Sequence, residues 1–193
     1  MDDLSNANET SDDVRTTLVQ LLNKQLAETV DLRSQVRQAH FNVRGPYIQE
    51  LRSLFDGLTL DLRHFADLIA ERIRTLGGCA AATVRFVAHE SGLRDYPLDA
   101  LDAHDHLEAL LSSYSRYELD TRHNLKVTQE VGDFETAGLL QIISVSTERN
   151  LWFLEAYLEG IAIGLHGRKL PSWTATFESR PDRSESATSS GTA

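Results

Sequence analysis

The chain has 193 residues, of which 41% are hydrophobic, and a formal net charge of −10 at pH 7. This length suits one domain with a sizeable core, and no apolar run approaches the length needed to cross a bilayer. The acidic balance argues against a protein that grips nucleic acid, because phosphate binding needs clustered Lys and Arg. The first residues carry no targeting signal and the single cysteine, Cys79, cannot form an internal disulfide, so we expect a cytoplasmic protein.

A first helix is predicted from about Asp12 to Val43, because apolar residues recur every four positions from Val14 onward. Residues 1–13 are polar and acidic, so we expect a disordered tail there that repels DNA. The folded domain is predicted to span residues 14–167. A flexible tail rich in Ser and Thr is expected to follow at 168–193.

A second helix of about 30 residues is predicted between Pro46 and the pair Gly77-Gly78. Proline is favoured at a first helical position because its missing N–H costs nothing there. Glycine suits a left-handed cap at the end of a helix. Both ends of this helix are therefore marked in the sequence.

One stripe of the second helix carries four side chains that can bind a metal. At about 100° per residue, Asp56, His64, Asp67 and Glu71 fall within about 80° of one another, with Leu60 beside them, so we expect them at or near the buried face. Burying unpaired carboxylates is costly unless a base or a metal ion accompanies them. Since Asp56 and Glu71 stand about 22 Å apart along the axis, one ion can contact both only if two copies of the helix pack antiparallel.

His40, at the end of the preceding helix, adds an imidazole beside this cluster. One nitrogen and several carboxylate oxygens suit ferrous iron, manganese or zinc better than copper. The residues alone are equally compatible with a long acidic surface helix that carries ordinary salt bridges and no metal.

The remaining sequence predicts a crossover and two further long helices. Residues 79–101 contain Gly92 and Pro97, and we expect a short helix within them at about Val84–Glu90. A third helix is predicted from about Asp102 to Val131, after which Gly132 ends it and Asp133 caps the next. The fourth helix is indicated by a heptad-like seam: Leu140, Ile143, Thr147, Leu151, Leu154, Leu158 and Ile161. Together these elements predict an all-α four-helix bundle.

Four motifs occur in a specific order and spacing. They are His40-Phe-Asn-Val-Arg-Gly, Leu51-x-x-x-Phe-Asp, Asp67-x-x-Ala-Glu-Arg-Ile-x-x-Leu-Gly-Gly and Thr147-Glu-Arg-Asn-Leu-Trp-Phe-Leu-Glu-Ala. The chain therefore resembles the Dps family, the DNA-binding proteins from starved cells or mini-ferritins, over roughly residues 14–165. The resemblance implies a ferritin-like bundle whose long crossover lies between its second and third helices.

The resemblance also implies a function. Twelve subunits built from two-fold dimers would form a hollow shell that oxidises ferrous iron with hydrogen peroxide or oxygen and stores ferric mineral, protecting against oxidative stress. His40 and Asp56 match the ligands of one subunit, and Asp67 and Glu71 match the pair from its mate. By the same resemblance, His40 and Glu71 anchor a tightly held metal while Asp56 and Asp67 bind or relay a second.

The sequence departs from the family pattern at one ligand. Where the motif usually reads Leu-His, this chain reads Leu51-Arg52, and a guanidinium has no lone pair to offer a metal. Arg52 could instead form an ion pair with Asp56 that competes with iron. His64, near Asp67 on the same stripe, could replace the lost nitrogen and would suit zinc or iron at the same site.

The sequence also indicates where a metal could bind and where it could enter. The chain contains no Glu-x-x-His motif, which argues against a di-iron site inside one bundle. Glu130 and Asp133 lie at the junction that, by resemblance, borders an acidic entry pore. Two other functions stay open: a storage or scaffold cage whose oxidation is impaired by Arg52, and, least favoured by the acidic charge, a DNA-compacting protein.

Overall fold

The computed structural model describes residues 3–45, 47–100 and 102–162. Within these ranges it contains five α-helices and no β-strand. They are α1 Asp3–Asn42, α2 Ile48–Thr75, α3 Val84–Glu90, α4 Ala103–Glu130 and α5 Phe134–Ala162. The all-α prediction is confirmed, and the short helix α3 lies in the crossover between α2 and α4, as the sequence indicates.

The core lies between the four long helices. Short connections pair α1 with α2 and α4 with α5 as hairpins, and the crossover joins the two pairs. All seven residues of the seam predicted on α5 are buried or half-buried. The largest fully buried side chains are Leu22, Leu26, Leu32, Leu51, Leu54, Phe55, Leu62, Ile69, Ile73, Leu107, Tyr114 and Tyr117.

Buried polar pairs fix the register of α1 against α4. Gln25 donates from Nε2 to Thr121 Oγ1 over 2.9 Å, and the hydroxyls of Thr29 and Tyr117 lie 2.8 Å apart. All four side chains are buried. Because a buried polar group left without a partner costs about 1–3 kcal/mol, a shifted register of these helices is disfavoured.

Glycines end α2 and α4 as predicted. Gly77 has φ +81° and Gly132 has φ +77°. At the end of α2 the N–H of Gly77 bonds Arg74 O at 3.0 Å and that of Gly78 bonds Ile73 O at 2.9 Å. This hydrogen-bond pair is a Schellman motif, which satisfies carbonyls left open at the end of the helix.

The N-terminal boundary differs from the prediction. α1 begins at Asp3, whereas its predicted start is at about Asp12. Residues 3–12 contain no Gly or Pro to stop a helix, and their acidic side chains favour an N-terminal turn. Pro46 and the tail at 168–193 lie outside the described residues. No helix in the described ranges is both long and apolar enough to span a membrane.

Candidate metal centre

The last turn of α1 and the middle of α2 bring His40 and Asp56 together. His40 Nε2 lies 3.3 Å from Asp56 Oδ1, and the imidazole is largely buried while the carboxylate is 57% exposed. Ligand bonds to a metal such as zinc are about 2.1 Å, so a single ion between these two atoms would have a ligand–metal–ligand angle of about 100°. The pair is therefore spaced as two neighbouring ligands of one metal ion.

The second ring nitrogen of His40 constrains how the imidazole can bind. Nδ1 is buried and has no hydrogen-bond partner among the described residues. A metal on Nε2 requires the proton to lie on Nδ1, where metal-binding histidines normally donate to an acceptor.

Arg37, not Arg52, pairs with Asp56. Arg37 Nη1 donates to Asp56 Oδ1 over 3.2 Å, and its guanidinium also lies 4.6 Å from the centroid of the Phe41 ring. The predicted Arg52–Asp56 pair does not form; Asp56 pairs with Arg37 of α1 instead. Arg52 has no ion pair in the described chain, and its buried Nε has no hydrogen-bond partner.

The metal-binding stripe of α2 faces solvent, which corrects the prediction of a buried face. Asp56, His64, Asp67 and Glu71 are all exposed. The buried face is formed instead by the apolar residues Leu51, Leu54, Phe55, Leu58, Leu62, Phe65, Ile69 and Ile73 on the opposite side of α2.

One subunit does not complete a metal site. Among the described residues no group of three or more His, Cys, Asp or Glu side chains could hold a metal ion. His40 and Asp56 meet, whereas Asp67 and Glu71 stand about 16 and 22 Å from Asp56 along the helix. Both Asp67 and Glu71 are exposed, and neither has an ion pair in the part of the chain that the structure describes.

The corner between α4 and α5 binds α2 through Arg72. Its guanidinium donates to Asp133 Oδ1 over 2.7 Å and to Thr136 Oγ1 over 2.8 Å, and it pairs with Glu135. Burial alone would raise the pKa of Asp133, but hydrogen bonds from Thr136 and Arg72 outweigh it and hold that pKa below its ordinary value. Asp133 also caps α5 through Thr136 N, as predicted, while Glu130 is exposed.

Sequence reasoning missed Arg37 and Arg72. Arg37 lies one turn before His40 on α1, so the helical repeat places both on the same face. Arg72 follows Glu71 directly, and nothing local in the sequence connects it with the acidic corner about sixty residues later. A search for basic residues one turn from each proposed ligand would have found the first and not the second.

Comparison with known proteins identifies the fold class and then the family. A family model described as a ferritin-like domain matches residues 19–163, so the chain is a ferritin-like four-helix bundle. The "DNA protection during starvation protein" of Agrobacterium fabrum is 34% identical over 152 residues, which cover 79% of this chain and 94% of that protein. This chain belongs to the Dps family.

Solved structures of Dps proteins share the fold of this chain. The tetragonal form of Mycobacterium smegmatis Dps has a TM-score of 0.73 at 29% identity, covering 76% of this chain and 88% of that one. Dps from Vibrio cholerae has a TM-score of 0.71 at 26% identity, covering 75% and 91%. The latter is described as a member of a broad superfamily of ferritin-like diiron-carboxylate proteins. The predicted ferritin-like fold is thereby confirmed.

Proposed function

We propose that this protein is a ferroxidase that binds ferrous iron between subunits, oxidises it and stores the ferric product in a hollow shell. The observation that carries the proposal is the 3.3 Å spacing of His40 and Asp56 at an exposed face where the described residues of the same chain offer no third ligand. Family membership supports iron as the metal, because a ferritin-like relative is described as a diiron-carboxylate protein.

A two-fold dimer completes the site. When two copies of α2 run antiparallel, Asp67 and Glu71 of one copy approach His40 and Asp56 of the other, and the symmetry forms two identical sites. Leu60, which is 50% exposed on the same face, provides apolar contact area for such a dimer. We propose that six such dimers form a dodecamer, as the family resemblance implies.

Iron is the substrate and undergoes the redox change. Two ferrous ions each give one electron, and one hydrogen peroxide takes both electrons with two protons to form two water molecules. The side chains of His40, Asp56, Asp67 and Glu71 hold the iron and are not themselves oxidised. Oxygen is the alternative oxidant. Removing peroxide and ferrous iron together suppresses hydroxyl-radical formation, which would protect a cytoplasmic cell compartment from oxidative stress.

The proposal also includes a route by which iron enters the shell. Exposed Glu130, near the α4–α5 corner, is placed to attract cations at a pore, whereas the Asp133 carboxylate already binds Arg72 and Thr136.

His64 is exposed on the site face of α2 and could supply a second imidazole as a fifth ligand. Replacing His64 with Ala should weaken binding of iron or zinc, and an unchanged affinity would remove it from the site.

Aerobic addition of ferrous salt to the assembled protein tests the proposed reaction. We expect a rapid rise of ferric absorbance with stoichiometric steps for the wild type and for Asp95→Asn, which alters an exposed acid in the crossover. Asp56→Asn removes a ligand oxygen and should reduce the rate to background autoxidation. Background autoxidation by the wild type would contradict the ferroxidase proposal.

That negative result would favour a storage or scaffold cage. Arg37 already pairs with Asp56 and competes with iron. Arg52 stands where the family usually has a histidine and has no lone pair to offer, so the site has one ligand fewer. DNA compaction has the least support because the net charge is −10. A clear gel shift at low salt would be needed to favour it.

A further inference from the structure

A buried carboxylate lies under the crossover, about 18 Å from His40 along α1. The Glu28 side chain is 1% exposed, and neither of its oxygens has a well-formed hydrogen bond among the described residues. Lys24 Nζ, one turn earlier on α1, stays 3.9 Å away, and the lysine side chain is half exposed. Because burying an ionised acid without close partners is costly, the covered carboxyl favours its neutral form.

The backbone of Gly92 covers this carboxylate. A Cβ added to Gly92 would lie 3.0 Å from Glu28 Oε1, although Gly92 itself is exposed to solvent. The glycine backbone therefore lies between the carboxylate and bulk water. A small outward displacement of this residue would hydrate Glu28 without disturbing the apolar core.

Residues 91–94, the crossover strap, are bound to α1 by polar contacts. Ser91 Oγ donates to Asp31 Oδ2 over 2.5 Å, and Gln35 Nε2 donates to the carbonyl of Arg94 over 3.1 Å. Both hydrogen bonds are only partly buried, and the strap follows α3 without helical structure of its own. A segment of this kind opens at a lower free energy than the core helices do.

The groups around Glu28 act in both directions on its ionisation. Burial raises the pKa of Glu28 to about 7, and the charge of Asp120 on α4 adds to this. Lys24 on α1, the Gly92 N–H in the strap and Arg116 on α4 lower it by smaller amounts. Because burial is the largest cause, hydration of the carboxylate returns its pKa toward the ordinary 4.5.

We propose that the crossover strap is a pH-sensitive cover, closed while Glu28 is neutral and opened when Glu28 ionises. The ionised carboxylate is stabilised by water, which reaches it in the open state. Since the open state releases the proton more readily, rising pH favours opening, and the effect levels off above about pH 7. This device does not depend on the proposed metal site.

Amide hydrogen exchange of the assembled full-length protein, followed by mass spectrometry, tests this proposal. The exchange of the strap amides is compared with that of Glu28→Gln at each pH, which cancels the intrinsic pH dependence of exchange. We expect the ratio of wild type to Glu28→Gln to rise roughly 30-fold between pH 5.5 and pH 8. Ser91→Ala, which removes the hydrogen bond to Asp31, should open more at every pH and keep the same pH dependence.

Two results would overturn the proposal. One is a ratio that does not change with pH. The other is an equal change in peptides from residues 54–69 of α2, because it would show that the whole bundle opens and not the strap alone. If Glu28→Gln does not assemble, the exchange of the strap relative to those α2 peptides within the wild type decides in the same way.

Discussion

At the scale of single residues, two side chains compete for the carboxylate of Asp56. Arg37 and His40 approach the same oxygen, Oδ1, at 3.2 and 3.3 Å. A metal that binds Asp56 through this oxygen competes with the Arg37 guanidinium for its lone pairs. The Phe41 ring, 4.6 Å from that guanidinium, offers it a cation–π contact after displacement.

Replacing Arg37 with Ala should therefore strengthen metal binding. Exposed ion pairs are worth roughly 0.2–1 kcal/mol, so we expect the affinity for Co²⁺ to rise by about two- to five-fold in a calorimetric titration. Arg37→Lys, which keeps the charge, should stay near the wild type. Equal or weaker binding by Arg37→Ala would show that the arginine does not compete with the metal.

Glu28 is a buried acid that lies outside the proposed site. Its side chain is 1% exposed and Lys24 Nζ lies 3.9 Å from its Oε1. Burial raises the pKa of Glu28 to about 7, and the charge of Asp120 adds to this, while Lys24, the Gly92 N–H and Arg116 act in the opposite direction. The folded protein therefore holds this proton at a pH where the unfolded chain has lost it.

The difference between the folded and unfolded pKa of Glu28 determines how the stability of the protein depends on pH. In the unfolded chain Glu28 ionises near its ordinary pKa of 4.5, so its favourable contribution is complete below that pH and is lost as the pH rises through about 7. Glu28→Gln does not titrate. Relative to the wild type, its free energy of unfolding should increase by on the order of 2–3 kcal/mol between pH 4.5 and pH 7.

Denaturant unfolding at several pH values measures this difference. Glu159→Gln, at an exposed position on α5, is the matched control and should show little pH dependence relative to the wild type. A difference between Glu28→Gln and the wild type that stays constant across this range would contradict the raised pKa.

At the scale of elements, the ends of the helices were predictable and the orientation of α2 was not. Glycine and capping residues act locally, so Gly77, Gly132 and Asp133 could be assigned from the sequence alone. The helical repeat fixes which residues share a stripe but not which stripe faces the core. Leu60 lies beside the acids and suggested burial, yet it is itself half exposed.

Gly77 provides a test of the α2 terminus. A Cβ at this position would contact nothing within 4 Å, so the cost of Gly77→Ala is conformational and arises from φ +81°. We expect a loss of about 1–2 kcal/mol in the free energy of unfolding. Gly138→Ala, inside α5 with equally open surroundings, should instead stabilise by about 0.5–1 kcal/mol.

Denaturant titration of the two variants compares them directly. A Gly77→Ala protein as stable as Gly138→Ala would show that the left-handed turn after α2 is not needed. The expected difference in sign separates backbone strain from loss of packing, because neither substitution creates a steric contact.

At the scale of the whole molecule, we propose that Asp67 and Glu71, two exposed acids of α2, bind metal only in an assembly. The motifs predicted the family and the candidate ligands, because ligand spacing along one helix is encoded locally. They could not predict Arg37 beside Asp56 or Arg72 in the α4–α5 corner, because these contacts depend on how separate helices pack. We propose that a second subunit completes the metal site, and contacts between subunits cannot be read from the sequence of one chain.

Anomalous scattering from crystals soaked with Co²⁺ or ferrous iron tests this central claim most directly. We predict a peak bounded by His40 and Asp56 of one subunit and by Asp67 and Glu71 of its two-fold mate. A peak whose ligands all come from one subunit, or an interface that keeps Asp56 away from the mate's acids, would contradict a site shared between subunits.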